Sequence, residues 1–499
     1  MVDVAGLLSR VDGVLFDVGN TLVEQASPGT PVADLVAVPL RGAAEAVAAL
    51  AGRVPIGVVS NTTVITAADL RRLLAPLGWT QHLDCIVATA ELGIHKPSPE
   101  PLIAGAQQLG VPPQRCLYIG DAEIDRVAAD AAGMQFCAAG PDLLRAIDRW
   151  TRGMTEIERS IAVPGVPDVD AGAQCERRLA ALAKPPGSFG RLEPVLARLA
   201  AAQGRALPTV DPAAAVVFVG DHGHADDDYV TPWPRAISRQ VAGLLADGRA
   251  AGSAFAAAAA VHLEVVDVGI ATGATPPGVR HERVADGTAN LRVGPALDDR
   301  QARAALEAGA ATAMRLVGGG TRALCVGEVG IGNTTVASII ACWATGLDAD
   351  DATGPGAGVP PDALARKREV VRVVAGSLDG VSDPVAVLCR VGGLEVAAMA
   401  GSMLACASLH VPVIVDGVTA LAAAAIARAI EPSVAQFLVA SHSSAEPASA
   451  ALLELLGLDP ILDLGLHVGE STGALLCVPI LRAACAALAS MAVLDDLAD

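Results

Sequence analysis

Ala323-Leu-Cys-Val-Gly-Glu-Val-Gly-Ile-Gly-Asn-Thr-Thr335 is the stretch on which the reading of this chain turns. It opens as the unbroken apolar run of a strand covered on both faces, passes through a glycine-rich turn, and resumes a helical pattern near Thr334. Backbone N–H groups left free at such a turn point inward and suit a phosphate. The turn lacks the lysine of a Walker motif, so its glycines alone would serve chain geometry equally well.

Outward from this stretch, apolar runs at 215–219, 264–268 and 411–415 alternate with helical patterns, and the runs end in Gly220-Asp-His-Gly223, Gly327-Glu328 and Asp416-Gly417. Ligands collect at the carboxyl ends of parallel strands, so these clusters predict one shared pocket. The N-terminal part repeats the pattern, with apolar runs at 14–16, 56–59 and 116–119. Between 151 and 174 the periodicity fades into Ser-Ile-Ala-Val-Pro-Gly-Val-Pro-Asp, which discourages helix and strand alike. The fold class expected is α/β with two domains, each a mostly parallel sheet flanked by helices, the second with a small helical subdomain. The boundaries expected are 1–150, a linker at 151–174, and 175–499.

Composition agrees with that architecture. Residues are 52% hydrophobic but only 2% aromatic, so the core must come from Ala, Val, Leu and Ile between regular elements. A net charge of -19 leaves no basic field for a nucleic acid. The most apolar long stretch, 385–415, is interrupted by Arg390, Glu395 and His410, which argues against a membrane span. Ten cysteines without a C-x-x-C pair, behind an amino terminus lacking a basic-then-apolar pattern, predict a reducing, cytoplasmic setting.

In the N-terminal part, Leu15-Phe-Asp-Val-Gly-Asn-Thr-Leu22 sets Asp17 directly after a strand, and Ser60, Lys96 and Gly120-Asp121-x-x-x-Asp125 each follow apolar runs. In order and spacing these pieces resemble haloacid-dehalogenase-like hydrolases over about 11–147. The resemblance implies that Asp17 attacks a phosphoryl group, that Ser60 and Lys96 balance its charge, and that Asp17, the Gly19 carbonyl, Asp121 and Asp125 surround an Mg²⁺ ion. It also exposes a departure: Gly19 stands where the family's hydrolases carry a second aspartate that protonates the leaving group. No long insertion separates Thr21, Ser60 and Lys96, so the domain is expected to be capless. The alternative is a catalytically weak docking or scaffold domain.

In the C-terminal part a second glycine turn, Gly354-Pro-Gly-Ala-Gly358, leads through Pro360-Pro361-Asp362 into a helix bearing Lys367. Lys367 could serve a phosphate, or be one solvated member of Arg366-Lys367-Arg368. Gly469-Glu470 lies in an apolar stretch where desolvation would favour a base near neutral pH; the plainer reading is a carboxylate at a helix start. Together with Lys184-Pro-Pro-Gly-Ser-Phe-Gly-Arg-Leu-Glu193, Asp286-Gly-Thr-Ala-Asn290, Val391-Gly-Gly393 and Ser441-His-Ser-Ser-Ala-Glu446, these motifs resemble the nicotinate-nucleotide:dimethylbenzimidazole phosphoribosyltransferase family from about Cys175 onward.

That resemblance implies transfer of ribose 5-phosphate from nicotinate mononucleotide to a benzimidazole for the lower ligand of cobalamin, without a cofactor and in a homodimer. It makes Glu470 the general base and Glu328 a carboxylate at the reaction centre. It places Gly330, Gly332, Asn333, Thr334, Gly356, Gly358, Lys367 and Ser444 around the nucleotide, and Trp233, Gln240 and Val468 around the base. The loop after Gly223, His-Ala-Asp-Asp-Asp-Tyr229, is acidic and leaves the preferred base open. A non-catalytic nucleotide-binding module is the competing explanation, and Glu470 is what separates the two.

Overall fold

The computed structural model describes residues 7, 11–24, 30–140, 142–151, 165–227, 233–356 and 358–497. The chain forms two compact units, Met1–Arg159 and Ser160–Asp499.

The first unit is built on five parallel strands: β1 (Gly13–Phe16), β2 (Ile56–Ser60), β3 (Cys85–Ala88), β4 (Cys116–Gly120) and β5 (Gln135–Ala138), in the order β3-β2-β1-β4-β5. Alternate strand residues supply opposite faces. Val14, Phe16, Ile56, Val58, Leu117 and Ile119 enter one apolar cluster, and Leu15, Val59, Cys85, Val87, Cys116 and Tyr118 enter the other. Among the described residues, the segment between Thr21 and Ser60 holds a bridge of Val23 with Pro39, a short turn at Val32–Asp34 and the helix Ala43–Leu50.

The second unit has six parallel strands: β6 (Ala213–Gly220), β7 (His262–Gly269), β8 (Arg280–His281), β9 (Ala323–Val329), β10 (Val413–Val415) and β11 (Leu438–Ala440), in the order β11-β10-β9-β6-β7-β8. Central strand β6 is buried along its whole length, as a continuous Ala/Val/Phe run requires. The helix Thr472–Ser490 is long and apolar enough to cross a membrane by length and composition, and half of it is buried. Its Ala474, Leu475, Cys477, Val478 and Leu481 lie in one cluster with Ala213, Ala215, Ala323 and Cys325 of the sheet. Its apolarity therefore has a packing cause. All ten cysteines are free thiols.

One expected boundary shifts. Residues 152–164 lie outside the described residues, but the expected linker also took in a helical turn, because the helix Val169–Ala181 begins before Cys175. Asp168 caps it by accepting the Ala171 N–H at 3.0 Å. Cys175 and Leu179, four residues apart on one face, pack with Leu196 and Ala200 of the helix Leu192–Gln203. Pro164 and Pro167 precede this cap rather than extending the linker through it.

Helices Asp299–Gly318 and Leu394–Ser408 meet backbone to backbone. A Cβ at Gly309 would fall 1.8 Å from the Ala398 carbonyl oxygen, and one at Gly401 would fall 1.9 Å from that of Leu306. Gly309→Ala should therefore destabilise the second unit by at least about 1–3 kcal/mol in denaturant unfolding. Gly318→Ala, which opens onto empty space in the same helix, should be neutral or stabilising by up to about 1 kcal/mol. Equal unfolding midpoints for the two variants would contradict the close approach.

Candidate active sites at two sheet switch points

In the second unit the chain leaves β6 toward β7 and β8 on one side and, from β9, toward β10 and β11 on the other. Strand order reverses between β6 and β9, and a crevice opens beyond their carboxyl ends. A cavity of about 260 Å³ occupies this place, lined by Glu328, Gly330, Gly332, Asn333, Thr334, Gly356, Ser444, Val468 and Glu470 among others. Gly332, in the left-handed region at φ 101°, turns the chain into the helix Asn333–Thr345, whose first N–H groups have no side-chain cap.

Lys367 is buried completely in the helix Pro361–Gly376, unlike Arg366, the exposed member of its basic run. Its Nζ donates to Thr334 Oγ1 at 2.9 Å and to the Gly354 carbonyl at 3.0 Å, tying the two glycine turns together. Burial lowers its pKa to about 8. Glu446 steadies the second turn by accepting the Gly356 N–H at 2.9 Å. Gly358 does not line the cavity, and Ala357 lies outside the described residues.

Glu470 and Glu328 sit in contrasting surroundings. The Glu470 N–H donates to the Glu328 carbonyl at 3.0 Å, while Glu470 Oε2 accepts the Gly252 N–H at 2.8 Å in the first turn of the helix Ala251–Ala258. The Glu328 carboxyl is buried, and burial first, then the charge of Glu395, raises its pKa to about 8; Asn333 donates its side-chain amide to Glu328 Oε2.

For the base pocket, Val468 lines the cavity, but Trp233 is 52% exposed and Gln240 is exposed, and neither lines it. On the helix Ile237–Ala246 it is Val241, one position on and so about 100° around the axis, that faces inward. Residues 228–232, which include Tyr229, lie outside the described residues.

The first unit repeats the arrangement. Strand order reverses between β1 and β4, and Asp17, Gly19, Ser60, Lys96, Asp121 and Asp125 all line a cavity of about 580 Å³ there. Lys96 Nζ lies 2.6 Å from Asp17 Oδ1, 2.5 Å from Asp125 Oδ1 and 2.7 Å from the Tyr118 hydroxyl. Burial raises the Asp17 pKa to about 6 against the opposing pull of Lys96. Asp17, Asp121 and Asp125 offer oxygens within 4.8 Å of one another, a spacing that fits a hard divalent cation.

Residues 165–497 match a family model described as phosphoribosyltransferase, and residues 33–139 match one described as haloacid dehalogenase-like hydrolase. Relatives named nicotinate-nucleotide–dimethylbenzimidazole phosphoribosyltransferase include one from Solidesulfovibrio magneticus, 42% identical over 61% of this chain and 87% of its own length. Another, from Pseudomonas aeruginosa, is 41% identical over 66% of this chain and 95% of its own. The crystal structure of CobT from Thermus thermophilus is 38% identical, with a TM-score of 0.63, over 66% of this chain and 98% of that one. The chain belongs to this phosphoribosyltransferase family. It carries a haloacid-dehalogenase-like domain in front.

Two groups around the phosphoribosyltransferase and hydrolase-like sites, Glu395 and Tyr118, escaped the sequence reading, whereas Asp416 was read there as a strand-end acid. Glu395, fully buried, holds His222 Nε2 at 2.8 Å across 173 positions of chain. Asp416 accepts the Gly473 and Ala474 N–H groups at 2.8 and 3.1 Å, and burial raises its pKa to about 7. Tyr118 reads as an ordinary strand residue, yet its hydroxyl meets Lys96. Only Asp416 carried a local signal, an acid before glycine at a strand end.

Because the folded-state pKa of Glu328, about 8, lies above the ordinary 4.5, the folded protein keeps a proton that the unfolded chain releases. This contribution is complete below pH 4.5 and is lost as pH rises through about 8. Glu328→Gln keeps the neutral shape and removes the titration. Between about pH 5 and 8.5 the wild-type unfolding midpoint should therefore fall more steeply than that of the variant. Parallel profiles would mean that Glu328 is ionised throughout.

Proposed function

We propose that residues 165–497 transfer ribose 5-phosphate from nicotinate mononucleotide to 5,6-dimethylbenzimidazole or a related base, giving α-ribazole 5′-phosphate and nicotinate for the lower ligand of cobalamin. The observation that carries this reading is the convergence of Glu470, Glu328 and both glycine turns on one cavity. The glycine turn at the N-terminus of the Asn333 helix and Lys367 hold the phosphate. Glu470, anchored through Oε2, accepts the imidazole N–H proton while the other ring nitrogen attacks C1′. The C1′–N bond to the pyridinium breaks, and its electron pair returns to a ring nitrogen that leaves neutral. Attack opposite the leaving group converts a β- into an α-glycosidic bond. Because the leaving nitrogen needs no proton, positioning and one base suffice, without a cofactor. We place the protein in the cytoplasm as a homodimer.

The N-terminal domain, on this proposal, removes the 5′-phosphate of α-ribazole phosphate. Asp17 attacks phosphorus with Lys96 and Ser60 at the transferring oxygens. Asp17, Asp121 and the Gly19 carbonyl would hold Mg²⁺, which when bound offsets the repulsion between carboxylate and phosphate. Asp125 steadies the set, since its two oxygens already accept from Lys96 and the Ala122 N–H. With Gly19 in place of an acid, the leaving alkoxide must take its proton from water, at a rate penalty of ~10²–10⁴. Gly19 equally favours a second reading, a docking domain of little turnover.

Glu470→Gln should lower the rate of α-ribazole phosphate formation by about 10²-fold or more, followed chromatographically, while nicotinate mononucleotide binding stays within a few-fold. A wild-type protein that makes no product from the two substrates would overturn the transferase reading. Asp17→Asn should abolish phosphate release and leave transfer intact; release that persists would remove Asp17 as the nucleophile.

A further inference from the structure

The N-terminal cavity has a polar floor and an apolar mouth. Buried Asp17, Ser60 and Lys96 form the floor with the exposed Asp121 beside them, and Val36, Val64 and Ile124 stand at the rim, 77%, 69% and 41% exposed, next to the uncharged polar Asn61 and Thr63. These three come from separate segments, one after β1, one after β2 and one at the start of the helix Glu123–Ala132. Scattered exposed valines need no explanation, but three converging on one cavity, with Val32, Leu35 and Ile65 beside them, form an apolar collar.

Charge sharpens the description. Among the described lining residues the one cation is Lys96, already shared by Asp17 and Asp125, while Asp17, Glu24, Asp121 and Asp125 are acids. Beyond the phosphoryl group, then, the collar offers no cation for a second anion. A substrate charge set against Val36 or Val64 would be desolvated without a partner, which is unfavourable. An uncharged aromatic group would gain by covering the same side chains.

Two ribose 5-phosphates meet in the chemistry proposed for this chain. The transferase substrate carries a zwitterionic ring, a pyridinium bearing a carboxylate; its product carries a neutral, methylated bicycle. We infer that the apolar collar makes the N-terminal site selective for the transfer product over the transfer substrate. The inference rests on the phosphatase reading above. Such selectivity lets the chain dephosphorylate its product without destroying the nucleotide it consumes. The reaction itself is balanced by water: the phosphoryl group passes to Asp17 and then to water, and the alkoxide takes up a proton.

The test uses the full chain with Mg²⁺ and no free base, so that transfer is silent, and follows phosphate release from α-ribazole 5′-phosphate, nicotinate mononucleotide, ribose 5-phosphate and p-nitrophenyl phosphate. The expected kcat/KM for α-ribazole 5′-phosphate exceeds that for nicotinate mononucleotide by about tenfold or more. Val36→Asp and Val64→Asp, at exposed positions, should bring the ratio between α-ribazole 5′-phosphate and ribose 5-phosphate toward one, mainly through KM. Equal or faster hydrolysis of nicotinate mononucleotide, or a ratio that neither substitution moves, overturns the selectivity and leaves the phosphatase reading standing. No phosphate from any of the four compounds overturns the phosphatase reading itself.

Discussion

The close approach of the Gly469–Ser471 turn to strand β9 is the contact on which the transferase site depends. A Cβ at Gly327 would lie 2.2 Å from the Ser471 nitrogen, so only glycine lets the turn rest on the strand. The turn is itself strained, with Glu470 at φ 62° and Ser471 at φ 61°, where each non-glycine residue costs about 1–3 kcal/mol. Hydrogen bonds offset that cost: Glu470 N–H to the Glu328 carbonyl, and the N–H groups of Gly473 and Ala474 to Asp416. β9 thus buries Leu324, Cys325 and Val326 in the core and, within three residues, supplies the surface that aims Glu470. Core packing and catalytic geometry are one arrangement here.

The same contact divides the labour between two carboxyl groups. Glu470 Oε2 accepts the Gly252 N–H, whereas Glu328 is buried beside Glu395, and burial and that charge together raise its pKa to about 8. On the proposed mechanism Glu470 is the base, and the raised pKa of Glu328 keeps a second negative charge from forming beside it at neutral pH. Lys367 completes the balance, because a buried amine whose pKa is lowered to about 8 still carries its charge at neutral pH. A chain of net charge -19 can therefore bind an anion through local N–H groups and one enclosed cation, without a basic surface.

Much of this was legible in the chain because buried parallel strands are unbroken apolar runs with glycine or acid at their carboxyl ends. β1, β2, β4, β6, β7, β9 and β10 read directly. β5 and β8, mostly half-buried or exposed and carrying Gln135 and Arg280-His281, lack the continuous apolar run of a buried strand, and β3 and β11 were not singled out either. The helix at Val169 was hidden by the prolines before its cap. Lys367 shows the limit of local composition: its basic neighbours suggested solvent, but the spacing of the helix turns it inward. The His222–Glu395 pair shows a different limit, since partners 173 residues apart leave no local trace. Gln240 and Val241 show that a family resemblance places a helix more reliably than it places the side chain facing in.

The two sites solve opposite problems with one topology. In the second unit the switch point carries glycines and a buried cation, and the bond to be broken ends at a positively charged nitrogen that departs neutral. In the first, the switch point gathers three aspartates around one lysine, and the proposed reaction must expel an alkoxide. The second unit thus has the easier departure and the fuller set of groups, whereas the first has the harder departure and, at Gly19, one group fewer. On the proposed phosphatase reading, dephosphorylation rather than transfer would limit the combined sequence. On that reading a slow second step need not waste the first if its cavity ignores the incoming nucleotide, which would put the weight of the proposed fusion on the collar of Val36, Val64 and Ile124 rather than on the speed of Asp17.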